Sequence, residues 1–276
     1  MCASLPRCTL VFHGALKEFL ALDKSDGRID YPLKRKASIK DIIESLGPPH
    51  TEVARIRSRQ GEVDFAYCPS SGEVLWIEPP ELPVNPFAPT RLSPEPLQVL
   101  RFLGDVNVGK TAILLRSLGY DTAYHWTWRD HEIAERAHEE KRIVLTKDIG
   151  LLKRNKVRFG RFLRSTTPEA QLREVLTVFG LGPPFALLSR CLRCNVRLSP
   201  VDKQAILHRL EPKTKRYFHS FSMCPECKRI YWAGSHQAKI IKRLEAAGVF
   251  SEMHTMERRQ SWELTSRSVQ DTEKAL

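Results

Sequence analysis

The sequence predicts an α/β protein: a parallel-sheet domain preceded by a small α+β unit and followed by a cysteine-held ribbon. Three observations carry this. Strand and helix patterns alternate over residues 98–182, which implies a parallel sheet with covering helices. A shorter strand–strand–helix–strand series fills residues 8–78 and is cut off by a proline-rich segment. Two C-x-x-C pairs follow the alternating region.

The elements follow in order. CTLVF and GRIDYPL read as two strands. Ser38 caps the helix SIKDIIESLG, with Asp41 in the capping-box position and Gly47 as its stop. Pro48 and Pro49 prevent its continuation. EVARI and EVLWIE supply further strands. This order suggests a β-grasp, ubiquitin-like unit over 8–78. Seven prolines then recur between Pro79 and Pro96, so 79–97 is expected to be a stiff, extended linker. The alternating domain, 98–185, reads as VLRFLGD (strand), KTAILLRSLGY (helix, stopped by Gly119), RDHEIAERAHEEK (helix), RIVLTKD (strand), GRFLRS (short strand) and PEAQLREVLTVFG (helix). The cysteine ribbon spans 186–240. The amphipathic helix QAKIIKRLEAAG runs into the last segment, 241–276, which ends in a polar tail, SRSVQDTEKAL.

The chain has 276 residues and a formal charge of +12. Such an excess favours acidic partners, nucleic acid first among them. No apolar run reaches membrane-spanning length, so no membrane partner is expected. MCASLPRCTLVFHG lacks the pattern of a signal peptide, and the expected compartment is the cytoplasm. From Lys153 to Arg164 the chain carries Lys153, Arg154, Lys156, Arg158, Arg161 and Arg164, with no acid among them. This run is expected to hold a nucleic-acid backbone.

GDVNVGKT, Gly104 to Thr111, matches the phosphate-loop pattern G-x-x-x-x-G-K-[ST] in a strand–loop–helix context. A working nucleotide site also needs an acid for Mg²⁺ and, in GTPases, a base reader. The nearest D-x-x-G match, Asp148-Ile149-Gly150-Leu151, is one residue out, and Asn155-Lys156-Val157-Arg158 places a cation where N-K-x-D needs a carboxylate. An NTPase is therefore the weakest of three readings.

The same stretch also centres on Asp105, at the end of the first strand of its domain. Asp148 ends the strand RIVLT, and both acids emerge on one edge of a parallel sheet. Asp130, at the start of a helix, can reach that edge, although it also suits an N-cap. Glu132 reads as a solvated helix acid, Asp121 as a turn residue, and His125 and His131 as surface or packing residues. Tyr124, Trp126 and Trp128 suit either base stacking or burial. Converging carboxylates repel unless a divalent cation sits among them, and Mg²⁺ or Mn²⁺ prefers such oxygen ligands. A metal-bound water then serves as nucleophile on a phosphodiester. Lys110, at a helix start, is expected to meet a phosphate.

Cys191 and Cys194 form one pair, and Cys224 and Cys227 the other. Four thiolates in two knuckles suit tetrahedral, structural zinc with no open position. Cys2, Cys8 and Cys68 read as free thiols.

Taken together, DVNVGKTAILLRSLGYDT, RIVLTKDIGLLKR, FLRS, SRCLRCNVRLSPVDK and CPECKRIYWAGSH resemble the Mut-seven C-terminal RNase family. ASIKDIIESLGPPHTEV is similar to the ubiquitin-like domain often fused ahead of it. The resemblance implies a PIN-like nuclease fold with a zinc ribbon, and a metal-dependent ribonuclease. It assigns the catalytic acids to Asp105, Asp130 and Asp148, and zinc to the four cysteines. Lys110, Lys153, Arg154 and Arg164 are the expected RNA contacts. Thr111 stands where the family more usually has an apolar residue. Ile149 and Gly150 stand where better-known PIN nucleases carry a fourth acid. The ubiquitin-like unit continues through EPPELP with no free Gly-Gly terminus, so it reads as a module that binds or positions a protein partner. The competing class is an RNA-binding protein of the RNA-processing or translation machinery that does not cut.

Overall fold

The computed structural model describes residues 5–250. Cys2 and the expected polar tail lie outside the described residues. Twelve strands and eight α-helices follow in chain order among the described residues.

The first elements are β1 (Arg7–Phe12), β2 (Arg28–Pro32), α1 (Ile39–Leu46), β3 (Arg55–Ser58), β4 (Gly61–Glu62) and β5 (Val74–Glu78). Their sheet order is β2-β1-β5-β3-β4. β1 runs antiparallel to β2 and parallel to β5. This is the β-grasp arrangement expected from the strand–strand–helix order. Period-two burial builds its core: Cys8, Leu10 and Phe12 point inward from β1, and Leu75 and Ile77 from β5. Ile39, Ile42 and Ile43 cover them from α1 at helical spacing. Ser38 caps α1 by accepting from the Asp41 N–H at 3.1 Å. Gly47, at φ +133, ends it where any Cβ would strike the Phe19 carbonyl oxygen. EVARI does not begin a strand as expected. His50–Glu52 is a 3₁₀ turn, and β3 starts at Arg55.

β6 (Phe102–Gly104), α2 (Gly109–Ser117), β7 (Thr122–Ala123), α3 (Asp130–Glu139), β8 (Ile143–Thr146), α4 (Ile149–Leu152), β9 (Gly160–Phe162) and α5 (Pro168–Val178) follow. β8 pairs in parallel with β6 and with β9. Every residue of β6 and β8 is buried, the pattern of a sheet covered on both faces. α4 is a short helix that periodicity gives no sign of. The last elements are β10 (Ser199–Val201), α6 (Lys203–Ile206), α7 (Pro212–Tyr217), β11 (Phe221–Met223), β12 (Ile230–Tyr231) and α8 (Ser235–Ala246). β10, β11 and β12 form an antiparallel sheet.

The chain divides into two compact units. The first takes residues up to 109, then 124–164 and 177–180. The second takes 110–123, 165–176 and the chain from 181 onward. The β-grasp sheet and β6, β8 and β9 thus share one unit. The proline-rich segment, expected as a stiff, extended linker, forms turns and bends and is packed: the Val84 N–H donates to the Val178 carbonyl at 2.7 Å, and Leu97 is buried. No helix among the described residues is long and apolar enough to cross a membrane.

Candidate active site and zinc centre

Strand register builds the acid edge. Gly104 pairs with Leu145, so the next residues, Asp105 and Thr146, leave neighbouring strands side by side. Asp105 is 4% exposed. Its Oδ1 accepts from the Asn107 N–H at 2.9 Å, and its Oδ2 from the Asn107 side-chain amide at 3.2 Å and from the Thr146 hydroxyl. The Thr146 oxygen in turn accepts from the Asp148 N–H at 2.8 Å. One buried hydroxyl therefore links Asp105 to Asp148. Burial pushes the Asp105 carboxyl above its ordinary value, and the hydrogen bonds from Thr146 and Asn107 oppose this.

Asp148 caps α4, its Oδ1 accepting from the N–H groups of Gly150 at 2.7 Å and Leu151 at 3.3 Å. Its Oδ2 has no hydrogen-bond partner among the described residues. Asp130 is the first residue of α3, not its cap; Arg129 holds that position, and Glu132 accepts from the Arg129 N–H at 2.8 Å. Asp130 faces Arg154 instead, at 3.6 Å, with both side chains nearly half exposed.

The three aspartates are not a closed ligand set. An octahedral Mg²⁺ at about 2.1 Å keeps its ligand oxygens within about 4.2 Å of one another. Among the described residues, only the four ribbon cysteines form a group of three or more candidate ligands within 4.8 Å. An ion that keeps most of its waters needs only one or two carboxylates. The Asp105 carboxylate is engaged by Asn107, Thr146 and the Val108 N–H, whereas Asp148 keeps an oxygen without a hydrogen-bond partner among the described residues.

GDVNVGKT does not build a phosphate cradle. Val106–Val108 is a tight 3₁₀ turn capped by the Asp105 carboxylate, which would repel a nucleotide phosphate. Gly109 is required by the Tyr124 ring, which a Cβ there would meet at 2.4 Å. Thr111 is buried with its hydroxyl on the Gln171 side chain, so it cannot hold Mg²⁺. Lys110 is exposed and belongs to the second unit.

The basic run is not an open strip. The Lys153 ammonium donates to the Glu44 carbonyl at 2.6 Å. Burial pushes its amine down, partly offset by the Glu44 charge. Lys156 meets Glu135, and Arg158 meets Glu95 at 2.6 Å. Arg161 meets Glu52 at 3.2 Å. Arg164 meets Glu18 at 2.6 Å and lies over the Phe19 ring. Lys153 and Arg164 thus tie the β-grasp segment to the parallel sheet. Arg154 stays on the aspartate edge. In the 124–128 loop, Trp126 is 72% exposed, while Trp128 lies under Arg136 at 4.3 Å. His125 turns back onto the Thr127 hydroxyl at 2.7 Å.

The cysteines converge as their spacing requires. The Cys191 and Cys227 sulfurs are 3.7 Å apart; a tetrahedral zinc with Zn–S near 2.3 Å needs about 3.8 Å. The two knuckles repeat one geometry. The second Cys N–H points at the first sulfur, at 3.3 Å for Cys194 and 3.4 Å for Cys227. Asn195 and Lys228, which follow, are left-handed at φ +68 and +58. The Tyr231 hydroxyl accepts from the Leu192 N–H and donates to the Cys191 sulfur, each at 3.1 Å. Burial raises the Cys191 thiol, but bonds from Tyr231 and from the backbone at Cys194 and Arg193 outweigh it and bring it to about 6. These residues fit zinc. Cys8 and Cys68 are free thiols.

Thr146, Asn107 and Tyr231 were not singled out by sequence reasoning. Their only signal is position, two residues from an acid or within a knuckle's aromatic run.

Two family models match. The Mut7-C RNAse domain covers residues 100–244, and the Mut7-C ubiquitin domain covers 5–85. Comparison with curated proteins and with solved structures finds no match. The chain belongs to the Mut7-C RNAse family, with its ubiquitin-like domain in front.

Proposed function

We propose that this member of the Mut7-C RNAse family is a metal-dependent ribonuclease whose acids are Asp105 and Asp148, with Asp130 as the third. The carrying observation is that Asp105 and Asp148 follow the neighbouring strands β6 and β8, with the Thr146 hydroxyl bonded to the Asp105 carboxylate and to the Asp148 backbone N–H, at the carboxyl edge of a parallel sheet, where α/β folds place ligands. Mg²⁺ or Mn²⁺ would supply charge neutralisation at the scissile phosphate and a water of lowered pKa.

The chain's own residues divide the remaining work. Asn107 and Thr146 fix the Asp105 carboxylate in one orientation. Burial raises the Asp105 carboxyl above its ordinary value, and a cation held there would favour its charged form. Arg154 and Asp130 form an exposed pair, worth about 0–1 kcal/mol, so a phosphate readily draws Arg154 away and frees Asp130. Zinc at Cys191, Cys194, Cys224 and Cys227 is structural. RNA is the substrate, the compartment is the cytoplasm, and the ubiquitin-like domain positions a protein partner.

Cleavage of end-labelled single-stranded RNA after chelation, with Mg²⁺ or Mn²⁺ added back, tests this. The expected result is ion-dependent cutting that falls at least ~10²-fold in Asp148→Asn. Cutting that ignores both the ion and Asp148 would refute it. One observation favours a second reading, RNA binding without cleavage: the three aspartates do not form one ligand group. Tight binding with no cutting under any ion would select it.

A further inference from the structure

A second basic surface differs from the Lys153–Arg164 run in having few internal partners. From Arg190 to Arg243 the chain carries thirteen Lys and Arg against three Asp and Glu, a net +10 of the whole chain's +12. A zinc ion with four thiolates contributes only two negative charges, so the ribbon remains strongly positive.

Within this segment lies a concavity of about 380 Å³, lined by Arg193, Arg209, Arg229, Thr214, Glu211 and Trp232. All of them belong to the second unit. The side chains of Arg193 and Arg229 are exposed and have no hydrogen bond or ion pair among the described residues. Arg209 is held in place by donating to the Lys228 carbonyl at 2.6 Å. Trp232 is half-buried against Phe221, with ring centroids 6.3 Å apart, and one side of it lines the cavity. Unpaired guanidinium groups beside an aromatic wall suit a phosphate with an unstacked base. A duplex keeps its bases stacked inside and is read mostly by shape, so it makes poor use of such a cleft.

We propose that this concavity on the zinc ribbon binds single-stranded RNA, with phosphate oxygens on Arg193, Arg209 and Arg229 and a base against Trp232. The proposal rests on the ribonuclease reading only for the identity of the ligand.

The test is fluorescence anisotropy of a labelled single-stranded RNA 12-mer with the zinc-loaded full chain and no added Mg²⁺ or Mn²⁺. Arg193→Gln with Arg229→Gln should weaken binding roughly tenfold and lower the salt slope by about 1.4, two phosphate contacts at about 0.7 each. Arg35→Gln with Lys36→Gln, an equal charge loss on exposed residues of the other unit, should change Kd less than twofold. The proposal is overturned if both pairs behave alike. It is also overturned if the ribbon pair loses zinc by metal analysis, since the arginines then serve the metal centre. Duplex RNA or polyglutamate binding as tightly, with the same dependence on the pair, overturns it too. RNA bound but never cut defeats the nuclease reading and leaves this site standing. RNA cut, with a Kd indifferent to the arginine pair, defeats this site alone.

Discussion

At the scale of the residue, Asp105 concentrates the cost and the use of the site. Its carboxyl is buried and its proton affinity raised. A raised acid contributes stability that is fully present below its unfolded pKa and lost as pH rises through the folded value. Asp105→Asn removes that loss. Without divalent ion, the variant should melt at a higher temperature than the wild type at pH 7–8, and the gap should close on acidification towards the ordinary carboxylate range. In the proposed site Thr146 is a positioning residue: its hydroxyl donates to the Asp105 carboxylate and accepts from the Asp148 N–H. Thr146→Val keeps the shape and removes both bonds. It should lower kcat roughly tenfold or more, move the acid limb of the pH profile upward, and be rescued by Thr146→Ser. An unchanged pH profile would show that the hydroxyl only packs. Cysteine spacing and strand-end aspartates were legible because each lies within a few residues of its structural cause. Thr146 was not, since a threonine inside an apolar strand reads simply as a strand former.

At the scale of elements, the β-grasp sheet is docked by buried polar groups. Glu52 is 2% exposed, accepts from the Phe162 N–H at 2.8 Å, and faces Arg161 and Arg164. His50 places one ring nitrogen 2.6 Å from the Glu44 carboxylate and the other 2.8 Å from the Val157 carbonyl. Removing one partner of such a buried pair costs about 3–5 kcal/mol. Glu52→Ala should lose about that much in denaturant unfolding, whereas Glu135→Ala, whose partner Lys156 is half exposed, should lose less than about 1 kcal/mol. This docking explains why the basic run misleads in the sequence. Glu18, Glu44 and Glu52 lie more than a hundred residues before their partners, and no local pattern joins them. The β-grasp order, by contrast, is visible in the chain because its strands, cap and helix stop are local signals. α4 escaped notice because four residues are too few to show a period.

At the scale of the whole molecule, the strand-end carboxylates belong to one unit and the four ribbon cysteines to the other. The ribbon core is small, Ile206, Leu210 and Phe221 being its buried cluster, so a metal held by the four cysteines would supply much of its stability. Cys224→Ser should reduce zinc from one per chain to near zero and strip amide-exchange protection from β10, β11 and β12. Amides of Leu10 and Ile77 should stay protected. Undiminished protection in the ribbon would mean that it folds without metal. The central claim is that GDVNVGKT is the setting of an acid and not a phosphate loop. Single-turnover cleavage at saturating RNA, comparing Asp105→Asn with Lys110→Ala, tests it most directly. The account predicts at least a ~10²-fold lower rate for Asp105→Asn and a rate within a few-fold of wild type for Lys110→Ala. A wild-type rate in Asp105→Asn, with activity abolished in Lys110→Ala, would contradict it.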